Sequence, residues 1–305
     1  MDVLSMAICK YTWVHQPHLK AKSVSDPLHL PGVKLPFTLT SAELPETVNK
    51  QNQDDLLSKL IEEVGEANAN SWGVVVNSFE ELEKSHILCF ESFYSEAKAW
   101  CLGPLFLYEE MEDLEKRNFS MLMQWLVEQI TPDSVIYVSF GTQADVSDTQ
   151  LDEVAFGLKE SGFPFVWLVR SKTWTLPGGM EEKIKGKAVG GFLSHCGWNS
   201  VLESVSVGMP LLAWPMIAEQ SLNTKLIVDG LVAGLSLKRE QNCGSGVVVS
   251  REAICEGVRE LMEGEKGRNA KERAQALGRV ARRAVQEGGS SDVTLSKMIA
   301  QLRGF

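Results

Sequence analysis

Residues 195–200 place several polar side chains directly after an apolar run, in the sequence GGFLSHCGWNS. The apolar run predicts a buried strand and the following residues predict a helix that begins near Gly197. The first turn of a helix has unpaired backbone N–H groups and the positive end of the helix dipole, and both attract anions. His195, Asn199 and Ser200 would add side-chain donors. The segment therefore predicts a site for an anionic ligand, most naturally a diphosphate.

Further polar side chains extend this predicted site. Glu203 lies one turn after Asn199 on the same helical face, and a carboxylate next to a phosphate is stable when it accepts hydrogen bonds from the two hydroxyls of a ribose. Glu219 and Gln220 follow the next apolar run and a Trp-Pro pair, and they offer groups suited to a sugar. The loop 139–142, after an earlier apolar run, would also face the phosphates. Together these residues predict a nucleotide sugar as the ligand.

The elements that must position these residues form a repeating pattern. From about residue 134, short apolar runs alternate with amphipathic segments, which predicts the strand–helix units of a doubly wound parallel sheet. One further unit is predicted upstream, where WGVVVNSF precedes EELEKSHILCFESF. Ligands of such sheets bind beyond the carboxyl ends of the strands. Neither a dinucleotide-binding glycine fingerprint nor a P-loop motif occurs in the sequence, which argues against an NAD-type oxidoreductase on this sheet.

The stretch from Val189 to Gln220 resembles the signature box of the plant-type, family 1 UDP-dependent glycosyltransferases. The matching residues, at the spacing of that box, are His195, Cys196, Gly197, Trp198, Asn199, Ser200, Glu203, Gly208, Pro210, Trp214, Pro215, Glu219 and Gln220. The resemblance extends over nearly the whole chain. It implies an α/β fold of the GT-B type, with a carboxyl-terminal doubly wound Rossmann-like domain and an incomplete amino-terminal Rossmann-like domain.

The resemblance also implies a role for each residue of the donor site. By this resemblance, the diphosphate would be bound by Thr142, His195, Asn199 and Ser200, with a backbone contact from Trp198. Glu203 would bind the ribose. Glu219 and Gln220 would bind the sugar hydroxyls. A closing Gln usually accompanies glucose in this family, so UDP-glucose is the expected co-substrate, with no cofactor and no metal ion. The expected reaction is inverting transfer of glucose to a hydroxyl of a small hydrophobic or phenolic acceptor, such as a flavonoid of plant secondary metabolism.

The sequence departs from the family pattern before Lys187. The box should open with Trp-x-Pro-Gln, and the residues found there read LPGGMEEKIKG, with Pro177 and Met180 at the positions given by back-counting. This indicates the loss of an edge strand together with the indole expected to stack on uracil. In the strand order 3-2-1-4-5-6, strand 3 would be missing and PFVWLVR would become an exposed edge through which the protein could associate.

A second departure concerns catalysis. The family uses a His near the start of its first domain, oriented by an Asp, as the general base. Neither member of this pair is identified, because His15, His18, His29 and His86 have the wrong sequence context. His15 and His18 are expected to have a surface or loop role. We therefore predict no catalytic residue and a chain truncated at its amino terminus.

Two hypotheses about activity remain open after the sequence analysis. The first is a UDP-glucosyltransferase. The second is a catalytically impaired, truncated or splice-variant member of the family that at most binds a UDP-sugar or a full-length partner. The domain prediction is the same for both. It assigns residues 1–107 to a partial acceptor-side domain, 108–120 to a linker, 121–290 to the UDP-sugar-binding domain and 291–305 to a carboxyl-terminal helix.

Composition and local signals limit the other possibilities. A formal net charge of −10 argues against a nucleic-acid partner. The sequence has no apolar window of about 20 residues and no signal peptide, which predicts a cytoplasmic protein without a membrane span. Six widely spaced cysteines predict reduced thiols. Five prolines predict that residues 1–45 are largely loop, and Ser147 with Gln150 predicts a capping box.

Overall fold

The computed structural model describes residues 1–49, 56–94, 97–108, 133–171, 173–176, 189–238 and 248–304. Its helices are α1 (Val3–His15), α2 (Glu46–Asn49), α3 (Leu56–Ala69), α4 (Glu80–Phe93), α5 (Asp148–Ser161), α6 (Trp198–Val207), α7 (Gln220–Lys225), α8 (Arg251–Met262), α9 (Glu265–Val285) and α10 (Ser290–Leu302). Its strands are β1 (Gly73–Val76), β2 (Lys98–Cys101), β3 (Val135–Ser139), β4 (Phe165–Leu168), β5 (Val189–Ser194), β6 (Leu211–Ala213) and β7 (Gly234–Ser236).

The larger sheet is parallel and has the strand order β4-β3-β5-β6-β7. This order equals 2-1-4-5-6 of the doubly wound arrangement, so the predicted order is confirmed for the strands described. β4 is the outermost described strand on its side, and the side chain of Leu168 is 47% exposed there. Residues 177–188, where the altered opening of the signature box falls, lie outside the described residues, as do residues 109–120 of the predicted linker.

Apolar residues cover both faces of this sheet, as buried parallel strands require. On one face, β3, β5 and β6 pack against α5 and α8 in a core that includes Ile136, Leu193, Val154 and Val258. On the other face, β5 and β6 pack against α6 and α9. The second core also contains Leu4, Ile8 and Tyr11 of α1, Phe79 after β1 and Trp198 of α6. The amino-terminal part of the chain therefore shares one hydrophobic core with the larger sheet.

The prediction that residues 1–45 are largely loop is wrong for Val3–His15, which form a buried helix. Asp2 caps this helix, since its Oδ1 accepts a hydrogen bond from the Ser5 N–H at 2.7 Å. The helix ends at Gln16, which adopts a left-handed conformation with φ of 47° directly before Pro17. All five prolines lie beyond the helix, so they end it without interrupting it. The helix carries apolar residues on most of its circumference because it is enclosed by the core.

The predicted capping box at α5 forms only in part. The Ser147 hydroxyl caps the helix by accepting from the Gln150 N–H at 3.3 Å. The Gln150 carboxamide does not return to Ser147. It pairs with the backbone of Val249 instead, donating to its carbonyl at 2.9 Å and accepting from its N–H at 2.7 Å. Gln150 thereby ties α5 to the segment that leads into α8, which is a long-range partner that the local sequence does not reveal.

Two carboxylates are fully buried where α1 meets α4. Glu83 accepts hydrogen bonds at one oxygen from the Val3 N–H at 3.3 Å and from the Ser78 hydroxyl at 3.1 Å. Asp2 lies close to it, and burial together with the charge of Glu83 raises the pKa of Asp2 from 3.8 to about 6. The negative charge of Asp2 at neutral pH is therefore a cost to the fold.

Replacing Asp2 with Asn should stabilise the protein at neutral pH but not at low pH. Because the folded pKa exceeds the unfolded value, the protonated form stabilises the fold fully below about pH 4, and this contribution is lost as the pH rises through about 6. The raised pKa corresponds to roughly 3 kcal/mol, and Asn keeps an acceptor for the helix cap. We expect urea unfolding to show a gain of about 1–3 kcal/mol for Asp2→Asn at pH 7.5 and little change at pH 4. The control is Asp145→Asn on the exposed surface, and a gain that is the same at both pH values would contradict the prediction.

Candidate functional site

The carboxyl ends of β3, β5 and β6 bring the predicted site residues together. The three strands are neighbours, and Ser139, Ser194 and Ala213 lie opposite one another at their ends. The loops that leave these strands carry Gly141 and Thr142 from the first, residues 195–197 from the second and residues 214–219 from the third. The three strand ends that carry the residues expected at a nucleotide sugar therefore converge at one edge of the sheet.

Helix α6 begins at this edge without a side-chain cap. Its N-cap residue is Gly197, which provides no capping side chain, and its first turn contains no acidic residue. By contrast, α5 and α8 are capped by the hydroxyls of Ser147 and Ser250, and α4, α9 and α10, which also have no side-chain cap, carry acidic residues in their first turns. The first-turn N–H groups of α6 thus point to an edge where no described side chain accepts from them. Such a helix start is suited to an anion.

The imidazole of His195 lies between two glycines at this edge. A Cβ atom at Gly141 would stand 2.5 Å from His195 Nε2, and a Cβ atom at Gly197 would stand 2.7 Å from the same nitrogen. Gly141 also has a φ of +72°, which disfavours other residues. Burial lowers the pKa of His195 below 6.5, more strongly than a hydrogen bond with the Ser139 backbone and the nearby carboxylate of Glu219 raise it. At neutral pH the ring is therefore uncharged, and it carries a single N–H.

The three remaining side chains expected at the diphosphate have free donors. Asn199 is exposed, and its Oδ1 accepts from Asn77 Nδ2 at 3.2 Å, which leaves its own amide hydrogens unpaired among the described residues. Ser200 is half-buried and Thr142 is exposed. No hydrogen bond from either hydroxyl to another described residue occurs. The structure thus places Thr142, His195, Asn199 and Ser200 along the open start of α6 and the facing loop.

Trp198 is buried, and its side chain is turned away from this edge. The indole packs in the core shared with α1, and its Nε1 donates to the carbonyl of Asn77 at 2.8 Å. Only the backbone of Trp198 is therefore available to a ligand, which agrees with the backbone contact that the resemblance implies.

The residues expected to bind the ribose and the sugar differ in their exposure and in whether their polar atoms are already hydrogen-bonded. Glu203 is exposed on α6 one turn beyond Asn199, and partial desolvation raises the pKa of its carboxyl group. Glu219 is half-buried and forms the N-cap position of α7. Gln220 is buried, and its Oε1 accepts from the N–H groups of Met216 and Ile217 at 2.9 and 3.0 Å. Its carbonyl oxygen is thus committed to the loop, and only its amide hydrogens can reach a sugar.

Two asparagines that sequence reasoning missed support the site. Asn77 contacts Asn199, as described above. Asn223 is fully buried, and its Nδ2 donates to the carbonyl of Cys196 at 2.9 Å while its Oδ1 accepts from Ser5 at 3.3 Å. These bonds hold Cys196 in a left-handed conformation with φ of +62° directly before α6. The helix that carries Asn223 has the polar sequence QSLNTK, so nothing in the sequence singles this residue out, and its partners lie far away in the chain.

The histidines of the amino-terminal part lie in four different settings. His15 and His29 are exposed, which confirms the expected surface role for His15. His18 is buried in the short 3-10 helix Pro17–Lys20, so of the expected surface or loop role the surface position is wrong for this residue. His86 is buried on α4 with Nδ1 3.6 Å from a Glu83 oxygen. No described hydrogen bond or ion pair joins any of the four to a donor-site residue.

The described residues also bear on the expectations about cysteines, metal ions and membrane spans. The five described cysteines are free thiols, and Cys243 lies outside the described residues. Within the ranges that the structure covers, no group of three or more His, Cys, Asp or Glu side chains is arranged to hold a metal ion. In the same ranges, no helix has the length and apolar character needed to cross a membrane.

Comparison with known proteins identifies the family. Residues 104–257 match the family model of UDP-glucoronosyl and UDP-glucosyl transferases. UDP-glycosyltransferase 73B4 of Arabidopsis thaliana is 37% identical over 97% of this chain and 67% of its own length. Anthocyanin 3'-O-beta-glucosyltransferase of Gentiana triflora is 35% identical over 95% of this chain and 67% of its own length. The chain therefore spans about two thirds of the length of these relatives.

A solved structure shows that the similarity extends to the fold. The structure of Phytolacca americana UGT2 complexed with UDP-2fluoro-glucose and pterostilbene superposes with a TM-score of 0.79 at 28% identity, over 97% of this chain and 69% of that one. The α/β fold with its parallel sheets is that of the GT-B glycosyltransferases. The chain belongs to the plant family 1 UDP-glycosyltransferases.

Proposed function

We propose that the edge formed by β3, β5 and β6 binds a UDP-sugar, with UDP-glucose as the first donor. The observation that carries this proposal is the uncapped start of α6, with the imidazole of His195 beside it in the space that two glycines leave. A diphosphate is the ligand that best matches several N–H and O–H donors around a helix dipole. The solved relative that holds UDP-2fluoro-glucose lends support to this choice of ligand.

Each part of the donor has a matching group in this proposal. The diphosphate lies against the first turn of α6 with donors from Thr142, His195, Asn199 and Ser200, and the backbone of Trp198 adds one contact. The ribose diol donates to Glu203. The sugar hydroxyls donate to Glu219 and accept from the remaining amide hydrogens of Gln220. This assignment needs no metal ion, because helix dipole and neutral donors compensate the charge of the diphosphate.

The proposed reaction is inverting transfer of glucose to a hydroxyl of a small hydrophobic or phenolic acceptor. The bond between the anomeric carbon and the diphosphate oxygen breaks, a bond from that carbon to the acceptor oxygen forms, and the acceptor proton passes to a base. The start of α6 would stabilise the charge that grows on the departing diphosphate. Support for a phenolic acceptor and a β-linked product comes from the relative named as an anthocyanin 3'-O-beta-glucosyltransferase.

A second candidate function is binding of a UDP-sugar without transfer. It is favoured by the histidines of the amino-terminal part, whose described polar contacts all lie away from the donor-site residues. The two candidates make the same prediction for donor binding and opposite predictions for transfer. A radiolabelled UDP-glucose assay with a panel of phenols separates them, since only the first candidate yields a labelled glycoside.

Donor binding itself should appear as ligand-dependent stability. At a UDP-glucose concentration of about 100 times the dissociation constant, linkage adds roughly 2.7 kcal/mol to the free energy of unfolding, which raises the thermal midpoint. We expect Glu203→Ala to weaken UDP binding by about 10- to 100-fold through loss of the ribose hydrogen bonds. The matched control is Glu272→Ala, an exposed glutamate on α9. A midpoint that does not respond to UDP-glucose would refute the donor site, and equal affinity of both variants would refute the ribose role alone.

Gln220 should have separable effects on stability and on sugar binding. Gln220→Ala leaves two backbone N–H groups without their acceptor, which costs about 1–3 kcal/mol in the ligand-free protein. It also removes the amide donor to the sugar, so affinity should fall more for UDP-glucose than for UDP. Chemical unfolding and titration calorimetry give the two numbers. Gln275→Ala on the exposed face of α9 should change neither, and an unchanged preference for UDP-glucose would argue against sugar contact.

The glycine beside His195 provides a further test with a matched control. Gly141→Ala and Gly162→Ala both introduce a side chain at a φ of +72° to +83°, which costs about 1–2 kcal/mol of stability in each case. Nothing lies within 4 Å of a Cβ atom at Gly162, whereas a Cβ atom at Gly141 meets the His195 ring. Because the ring can swing aside, we expect similar stability losses but a loss of UDP affinity only for Gly141→Ala. Equal affinity of the two variants would exclude His195 from the site.

A further inference from the structure

Asn77 lies at the point where three segments of the chain meet. It follows β1, and its Oδ1 accepts a hydrogen bond from the Leu105 N–H at 2.9 Å. Its Nδ2 donates to Asn199 Oδ1 at 3.2 Å, and its backbone carbonyl accepts from Trp198 Nε1 at 2.8 Å. One half-buried residue of the amino-terminal part thus contacts both residues that open α6.

The direction of these bonds is fixed by the first of them. A backbone N–H only donates, so the group that faces Leu105 must be the carbonyl oxygen of the Asn77 carboxamide. The NH2 group of Asn77 then faces Asn199 and requires an acceptor there. The carbonyl oxygen of Asn199 meets this requirement, and its NH2 group is therefore turned outward. The Leu105 N–H thus sets the orientation of the exposed Asn199 amide through two successive hydrogen bonds.

The carboxamide of Asn77 is also confined by packing. A Cβ atom at Gly103 would stand 2.5 Å from Asn77 Oδ1 and 2.7 Å from the Ser78 nitrogen, so only glycine leaves room for the amide at this position. The Gly103 N–H donates to the Ser78 carbonyl at 2.7 Å, which holds the two segments together. The amide of Asn77 is therefore held in one place as well as in one orientation.

We propose that Asn77 is a positioning residue that turns the NH2 group of Asn199 toward the diphosphate of the donor. This inference rests on the proposed function. With the opposite orientation, the carbonyl oxygen of Asn199 would face the phosphate oxygens, and two acceptors would repel each other. The bond from the Asn77 carbonyl to Trp198 fixes the preceding residue at the same time. The start of α6 is thus positioned by Asn77, a residue that lies outside the larger sheet.

The test is a double-mutant cycle in the full chain. Asn77→Asp keeps an acceptor for the Leu105 N–H but presents a second acceptor to Asn199, so the Asn199 amide must turn over. Asn77→Ser removes the NH2 group that faces Asn199 and puts a shorter hydroxyl in its place, without adding charge. Both are combined with Asn199→Ala, and each protein is titrated with UDP by calorimetry and with uridine by ligand-observed NMR. Thermal unfolding verifies that each variant folds, and Asn77→Ser carries the comparison if Asn77→Asp does not.

The expected result is a weakening of UDP binding by at least about 10-fold for Asn77→Asp and about 3- to 10-fold for Asn77→Ser, with uridine binding changed by less than about 2-fold. In the Asn199→Ala background, either change should alter UDP affinity by less than about 2-fold. Equal losses in both backgrounds would reveal a charge or folding effect and overturn the proposal, as would equal losses for uridine and UDP. A parent chain that binds no UDP would refute the proposed function first, and this inference with it.

A second measurement tests the orientation without any ligand. The side-chain amide signals of Asn199 in an ¹⁵N spectrum are identified by their disappearance in Asn199→Ala. We expect these signals to shift in Asn77→Asp, because the amide hydrogens then face a carboxylate in place of solvent. Unshifted signals would overturn the proposal, even where donor affinity changes.

Discussion

The buried indole of Trp198 joins the two parts of the molecule. Its ring lies in the core that α1 shares with the larger sheet, and its N–H group reaches the carbonyl that ends β1. Burial of a tryptophan with a satisfied N–H is a strong and directional contact. Because Trp198 is also the first residue of α6, the same contact sets where that helix begins. The geometry at the strand ends therefore depends on the amino-terminal part of the chain.

The site combines side chains and glycines from several distant parts of the sequence. Gly141 and Gly197 admit the ring of His195, and Asn223 holds the backbone before α6 in a left-handed conformation. The residues that would touch a ligand lie on loops and on helices α6 and α7, whereas the residues that support them are amides and glycines. A rigid arrangement of donors is what binding of a charged group requires, because donors that are already oriented cost little to organise.

Much of this arrangement could be predicted from the sequence. Apolar runs predicted β3, β4, β5 and β6, the strand order followed from the fold that the family resemblance implies, and the spacing from His195 to Gln220 located the candidate site. Contacts between distant segments could not be predicted. Helix α1 was missed because a helix enclosed by the core has no polar face to mark its period. The long-range hydrogen-bond partners of Gln150 and Asn77 depend on which segments the fold brings together, and local patterns do not contain that information.

The absence of a side-chain cap on α6 has a consequence beyond the site itself. The first N–H groups of α6 have no side-chain acceptor, whereas Ser147 and Ser250 supply such an acceptor at the starts of α5 and α8. An uncapped helix start contributes less to stability than a capped one, and under the proposed function the diphosphate would supply the missing acceptor. Proteins that unfold less often are degraded more slowly in cells. The amount of this protein would accordingly follow the supply of its ligand, so that abundance and metabolite level become linked without any dedicated regulator.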